Sequence, residues 1–276
     1  MGYLILAFCS SALVSIVMRL SDGKTKGGLG MLAVNYAMCT VMAALETTGG
    51  LFPADPGLGT ALGLGVVNGI FYLTGFVLMR VSVSRNGVVL TSTFMKLGLL
   101  VTMVISILFF GEMPTAVQAV GFALAVGAIV MIRAKGEGKE RFGWLLPVLM
   151  VCGGLCDGMS KVFEELGSSA LSGQFLFYTF AVAFLLCSAL AARKKALPGK
   201  WELLFGILIG VPNYYSCRFL LWSLRTVPGV IAYPVYSVAG ILVVTVAGVV
   251  LFREKLEKRQ WAALGVILAA LVLLNV

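Results

Sequence analysis

Four charged side chains interrupt the apolar runs of this chain: Lys96, Asp157, Lys161 and Arg218. A charge at the middle of a bilayer costs about 2.5–3.5 kcal/mol on insertion scales, so such a residue faces a cavity or a partner. Lys96 stands ten residues beyond Asn86, near the expected midplane of its run. It can anchor a substrate carboxylate or phosphate, or pair structurally with Asp157 or a backbone carbonyl. Asp157 and Lys161 are spaced i,i+4 with the acid first, the favourable order for a pair within one helix. Either they neutralise each other, or Asp157 couples protons or binds an amine. Arg218 follows Asn213, Tyr214 and Tyr215; a guanidinium there grips a carboxylate bidentately or snorkels to the interface. The four carry a net charge of +2. A cavity shared by all of them would favour an anion, or a zwitterion held by its acid end.

Amides and aromatics extend the set: Asn35, Asn68, Tyr72, Gln174, Tyr178, Tyr233 and Tyr236. Tyrosines near span ends are more often part of the interfacial belt than of a site. Tyr233-Pro234-Val235-Tyr236 lies inside a run, and a proline there frees a backbone carbonyl, the feature of broken helices that line membrane solute sites. Pro212-Asn213 makes the same case. The candidate substrate-binding set is therefore Lys96, Asn213, Tyr214, Arg218, Tyr233, Tyr236, Asn68 and Tyr72, with Asp157 and Lys161 as a coupling site or an ion pair. Glu112 and Glu254 sit at helix ends and are expected to position the helices that follow them by charge–dipole interaction.

The elements that hold these residues follow from composition. The chain has 276 residues, 60% hydrophobic and 12% charged, with mean hydropathy +1.01. A soluble domain is about 45–50% apolar and about 25% charged, so this is an all-α integral membrane protein. At about 20 residues per span, little remains for a soluble catalytic or nucleotide-binding domain. Histidine is absent, and aspartate occurs only at 22, 55 and 157. Imidazole triads and histidine metal sites are excluded, and carboxylate–metal phosphotransfer has almost no ligands. The six cysteines fall inside apolar runs, against a loop disulfide framework or zinc; Cys152 and Cys156 share a helix face and read as packing. No cofactor and no metal is expected. The first run starts at Gly2 without a basic leader and reads as a span rather than a cleaved signal.

Ten apolar segments separate, at 2–20, 29–47, 58–80, 86–110, 114–133, 142–163, 170–192, 201–223, 228–252 and 258–275. Of 21 Lys and Arg residues, 17 fall in the odd-numbered loops, which places those loops in the cytoplasm and both termini outside. The net charge of +9 thus reflects topology, and no nucleic-acid partner is expected. The chain also repeats itself: residues 87–128 shifted by 142 land on 229–270 with ten identities in 42, including Glu112/Glu254 and Gln118/Gln260. GVVNG at 65–69 answers GILIG at 206–210. Five spans per copy is odd, so the copies insert in opposite orientations: residues 1–134 form a first five-helix repeat, 135–141 a cytoplasmic linker and 142–276 a second repeat. Inverted repeats mark alternating access, with the substrate at their interface near midplane.

The span ending in Phe110-Gly111-Glu112 with Gln118 after it, repeated as Phe252-Arg253-Glu254 and Gln260-Trp261, resembles the EamA-like branch of the drug/metabolite transporter superfamily. The resemblance covers both halves. It implies a ten-helix fold, a central cavity lined from both halves, and movement of amino acids, other metabolites, sugar phosphates or drugs. The membrane carboxylate in the first helix of the small multidrug-resistance relatives has no match here. The expectation is a secondary active transporter of the cytoplasmic membrane, moving a small polar metabolite (an amino acid or organic acid, anionic or zwitterionic), with a proton or counter-substrate as coupling partner and a monomer able to suffice. The alternatives are a proton-coupled exporter of cationic or aromatic compounds using Asp157, a lipid-acting membrane enzyme using Glu164 and Glu165, and a scramblase.

Overall fold

A computed structural model describes residues 2–25, 28–47, 49–111, 115–133, 144–224, 227 and 229–273. The expected linker at 135–141 and Glu112 lie outside them. The described residues are helical without a strand: α1 Gly2–Ser21, α2 Leu29–Glu46, α3 Leu58–Asn86, α4 Val88–Lys96, α5 Leu99–Phe110, α6 Ala116–Arg133, α7 Leu145–Leu166, α8 Ser172–Arg193, α9 Lys200–Leu224, α10 Gly229–Val250 and α11 Lys258–Leu273. Seven stretches of the described residues are long and apolar enough to cross a membrane: α1, α2, α3, α4–α5, α7, α8 and α9. Helix α11, at 16 residues, reaches only about 24 Å at 1.5 Å per residue, against a hydrocarbon core of about 30 Å. Ile5, Leu62, Leu108, Phe109, Leu185 and Val246 are exposed, the apolar exterior of a multi-pass membrane protein.

Two apolar clusters organise the interior. One draws on α1, α2, α3, α7, α8 and α9, around Tyr36, Phe180, Ile209 and Tyr214. The other draws on α5, α6, α10 and α11, around Leu100, Ala125, Ile241 and Ile267. Helix α1 packs on α9 and α10, α7 on α3 and α4–α5, α2 on α8 and α9, α8 on α3, and α6 on α11. Exchanging α1 with α7, α2 with α8, α3 with α9, α4–α5 with α10 and α6 with α11 leaves these principal pairings unchanged.

The two small-residue motifs work as that exchange requires. Gly65 and Gly69 of α3 lie against α8, where an added Cβ would come 2.7 Å from Tyr178 Cβ and 2.6 Å from Thr179 O. Gly206 and Gly210 of α9 lie against α2, where it would come 2.8 Å from Met31 O and 2.9 Å from Asn35 O. Without Cβ atoms the helix backbones approach closely, the main source of association where lipid tails are as apolar as side chains.

Helix ends correct one expectation. Gln118 and Gln260 start the helices that follow their loops: Thr115 N–H donates to Gln118 Oε1 at 2.9 Å and Glu257 N–H to Gln260 Oε1 at 2.9 Å. Glu254 instead reaches a helix 166 residues away in sequence, accepting from the Val88 and Val89 amides at 2.8 and 3.2 Å, with Arg19 Nε 3.7 Å away. The physical reason is reach: the free amides of α4 and the Arg19 guanidinium meet at its carboxylate, while α11 is already capped by Gln260. Glu254→Ala strips two amides at the start of α4 and is expected to cost about 1–2 kcal/mol, read as a lowered Tm of the detergent-purified protein. An unchanged Tm would show that α4 is held otherwise.

The breaks in the helices are also not where the prolines put them. Helix α9 runs through Pro212 and α10 through residue 234. The interruption lies between Lys96 and Leu99, where Gly98 N–H turns back to Met95 O at 3.1 Å. Gly98 and Gly154 meet backbone to backbone there, and Thr102 Oγ1 donates to Gly154 O at 3.1 Å. A glycine-to-glycine contact thus ends the helix immediately after its charged residue. Helix α9 is continuous through its proline.

Candidate functional site

Six helices surround a cavity of about 120 Å³: α1, α3 and α4 from the first half, α7, α9 and α10 from the second. They are the three pairs that the exchange of halves relates. Lys96, the last residue of α4, enters it. Its Nζ donates to Ser11 Oγ of α1 at 3.1 Å and lies 3.5 Å from the ring centroid of Tyr236 of α10, a cation–π contact. Tyr236 Oη is 2.9 Å from Ser216 Oγ of α9. Tyr72 of α3 places its hydroxyl 3.1 Å from Cys217 Sγ, and its ring meets Phe180 edge-on with centroids 5.5 Å apart. Asn213 also lines the cavity, its Nδ2 donating to Asn35 Oδ1 at 3.2 Å.

Asp157 of α7 lines the same cavity. Among the described residues it makes no hydrogen bond and no ion pair within 4 Å. The expected pairing with Lys161 is corrected: Lys161 Nζ donates to Glu165 Oε1 at 2.6 Å. Asp157 projects inward, whereas the lysine's four-carbon stem reaches toward the helix end, where both it and its partner meet solvent.

Arg218 and Tyr214 are drawn away by a residue the sequence did not single out. Glu46, the last of α2, accepts from Tyr214 Oη at 2.9 Å and lies 3.2 Å from Arg218 Nε. Arg218 also lies 5.2 Å from the Trp222 ring. Neither residue lines the cavity. Asn68 is buried at the contact of α3 with α8, its Nδ2 3.5 Å from Thr179 Oγ1, and does not line the cavity. The side chain of Tyr233 lies outside the described ones. Gln174 and Tyr178 donate to Gly50 O at 3.0 Å and Leu51 O at 2.5 Å, pinning the α2–α3 loop. Arg218→Gln leaves Glu46 with the Tyr214 hydroxyl but without its cation, so it should cost about 1–3 kcal/mol of stability and leave ligand affinity at the cavity unchanged. Melting with and without ligand separates the two effects.

The cavity also holds hydroxyls that sequence reasoning missed: Ser11 and Ser15 of α1, Ser92 of α4 and Ser216 of α9. The Ser92 Oγ is buried without a hydrogen-bond partner among the described residues, so it is available to a bound solute. A signal existed: Ser11/Ser15 and Ser92/Lys96 are i,i+4 pairs in apolar runs, each placing two polar groups on one helix face. Of the four in-span charges, only Lys96 and Asp157 reach the cavity. Its net formal charge is therefore zero rather than +2. Glu164 and Glu165, the carboxylates expected of a lipid-acting enzyme, are exposed at the end of α7 outside it.

Residues 145–276 match the EamA-like transporter family. The chain is 28% identical over 228 residues to the glucose uptake protein GlcU of Staphylococcus xylosus, covering 76% of each chain. It is 23% identical over 208 residues to an uncharacterized protein of Haemophilus influenzae, covering 72% of this chain and 69% of that one. A solved crystal structure superposes with a TM-score of 0.61 at 15% identity, over 99% of this chain and 96% of the other, which establishes likeness of fold alone. The resemblance to the EamA-like branch is borne out by these matches. They support a membrane transporter.

Proposed function

We propose that this protein is a secondary active transporter that carries a small polar metabolite of zero net charge by alternating access. The observation that carries the reading is one lysine and one aspartate facing a common cavity from opposite halves without pairing to each other. A zwitterion such as an amino acid satisfies both: its carboxylate meets the Lys96 ammonium, its ammonium meets Asp157, and Ser92 and Asn213 supply neutral polar contacts. Charge-assisted hydrogen bonds of this kind are about twice as strong as neutral ones. At about 120 Å³ the cavity has room for about four waters at ~30 Å³ each, so the helices around it part to load a solute.

Ten spans in two inverted five-helix repeats, 1–134 and 142–276, are supported by the matched helix pairings, the equivalent roles of Gln118 and Gln260, and a family match that begins at residue 145. Rocking one half against the other then exposes the cavity to each side in turn. The sequence holds no nucleotide-binding motif, which leaves an ion gradient, exchange or the substrate's own gradient to drive the cycle, and the secondary active reading takes the first two. The loop charges support a cytoplasmic-membrane location with odd loops inside and both termini outside.

A second reading, a monosaccharide, is favoured by the Tyr72 and Tyr236 rings beside four serine hydroxyls, and by the likeness to a glucose uptake protein. A thermal-shift panel of amino acids, monosaccharides, organic acids and organic cations separates these readings, since a ligand at 100 times its Kd stabilises the fold by about 2.7 kcal/mol. Stabilisation by zwitterions, lost in both Lys96→Gln and Asp157→Asn, supports the first reading. Stabilisation by sugars, surviving one of these changes, supports the second. Stabilisation by cations alone, indifferent to Lys96, returns the cationic-compound exporter and overturns both.

A further inference from the structure

We infer that a second cavity, between the start of α2, α3 and the α8–α9 loop, binds a phosphate group: the headgroup of an anionic phospholipid or a soluble phosphate ester. This cavity, about 590 Å³, shares no residue with the central one. Helix α3 contributes to both from different faces, Phe76 and Met79 to the first and Val77, Arg80 and Val81 to the second.

Its walls carry three cations, Arg80, Lys194 and Lys195, against one carboxylate, Glu202. Among the described residues, none of the three makes an ion pair within 4 Å. The Arg80 guanidinium is held by neutral groups, donating to Thr25 Oγ1 at 2.6 Å and Ser21 Oγ at 3.3 Å. Two acids lie near without forming an ion pair to Arg80 within 4 Å: Asp22 pairs with Arg19 at 3.1 Å, and Glu202 accepts the Gly199 N–H at 3.1 Å. A guanidinium oriented by hydroxyls and flanked by two ammonium groups matches the charge and the several acceptor oxygens of a phosphate.

The site is shaped as well as charged. The guanidinium lies where a side chain at Gly28 would be, with Arg80 Cδ only 2.6 Å and Cζ 2.9 Å from that Cβ position. At Gly30 a Cβ would come within 2.8 Å of Ala196 O. These two glycines let the α8–α9 loop and Arg80 close on the same space. Lys195 holds its place in a left-handed conformation, φ 52, usually taken by glycine at a helix end. Beside the lysines, Leu197 is 78% and Trp201 53% exposed. Apolar and aromatic side chains next to basic ones are the mark of a membrane interface, where basic pockets between helices take lipid headgroups.

The test uses the full-length protein in nanodiscs of phosphatidylglycerol mixed equally with phosphatidylcholine, with retained lipid read by native mass spectrometry. A parallel arm titrates inorganic phosphate and reads Tm. Retention of phosphatidylglycerol over phosphatidylcholine, weakened about thirtyfold in Lys194→Gln/Lys195→Gln, supports the site with lipid as its source. A Tm rise with inorganic phosphate that the same variant loses supports it with a soluble phosphate as the source. Both lysines are exposed, so this variant keeps the fold; Arg80→Gln is made alongside it, and where that change prevents folding the double variant decides. Equal retention of the two lipids with no response to phosphate, or a double variant that behaves as the parent does, overturns the inference.

Discussion

Lys96→Ala should lower transport in proteoliposomes by about 100-fold or more, with a Tm close to that of the parent. Removing one partner of a desolvated charge pair costs about 2–5 kcal/mol, and about 2.7 kcal/mol is a hundredfold in affinity. The fold is spared because Lys96 belongs to neither apolar cluster. Its contacts are one hydroxyl of α1 and one ring of α10. Its loss leaves a space on a cavity that already exists, and removes a charge from the bundle. Lys96→Arg is the informative companion: it keeps the charge, but its planar fork is bulkier than an ammonium fitted between Ser11 and Tyr236. Partial transport by Lys96→Arg beside none by Lys96→Ala assigns the role to the charge. Normal transport by Lys96→Ala removes Lys96 from the site and leaves Asp157 as its sole ionic group.

The second large effect falls on packing. At Gly154 an added Cβ would run into the Gly98 carbonyl oxygen and come 2.5 Å from Val101 Cβ; at Gly98 it would come 2.5 Å from Gly154 N. Neither obstacle is the end of a flexible side chain, so α7 must move off the α4–α5 junction. Overpacking of this kind costs about 1–3 kcal/mol, occasionally more, and Gly154→Val adds two further carbons. Loss of monodisperse protein, or a strongly lowered Tm, is the expected result. Gly63→Ala is the control, with nothing within 4 Å of its Cβ position; in a helix it should be neutral or stabilising by up to about 1 kcal/mol. A Gly154→Val protein that melts with the parent would mean that the two backbones do not meet there. Because the junction directly follows Lys96, a milder Gly154→Ala should also displace the ammonium and reduce transport before it unfolds the protein.

Much of the frame was legible because hydropathy and helix ends are local. The expected segments 29–47, 170–192, 201–223 and 258–275 answer to helices Leu29–Glu46, Ser172–Arg193, Lys200–Leu224 and Lys258–Leu273. The expected 86–110 is divided at Gly98, because the close approach of α7 is invisible in the run itself. Lys96, Asp157, Tyr72, Tyr236 and Asn213 were found because polar groups are conspicuous in apolar runs, and all five line one cavity. Tyr214, Arg218 and Lys161 were equally conspicuous but lie elsewhere.

The sequence by itself determined that the chain is helical and membrane-embedded, which segments are apolar, and which few polar side chains need company. Burial of a charge is costly wherever it falls, and that cost can be read one residue at a time. Tertiary structure alone decided who keeps company with whom. Glu46 takes Tyr214 and Arg218, Glu165 takes Lys161, and Glu254 crosses to the start of α4. The choices of Glu46 and Glu254 depend on which helix lies alongside, as backbone approach at pairs such as Gly98/Gly154 allows, whereas Lys161 had acids one turn to either side on its own helix, Asp157 and Glu165, and took the second. The cavity's net charge fell from +2 to zero because Arg218 is held by Glu46 of another helix and Lys161 by Glu165 one turn along its own, which leaves Lys96 and Asp157 facing the cavity.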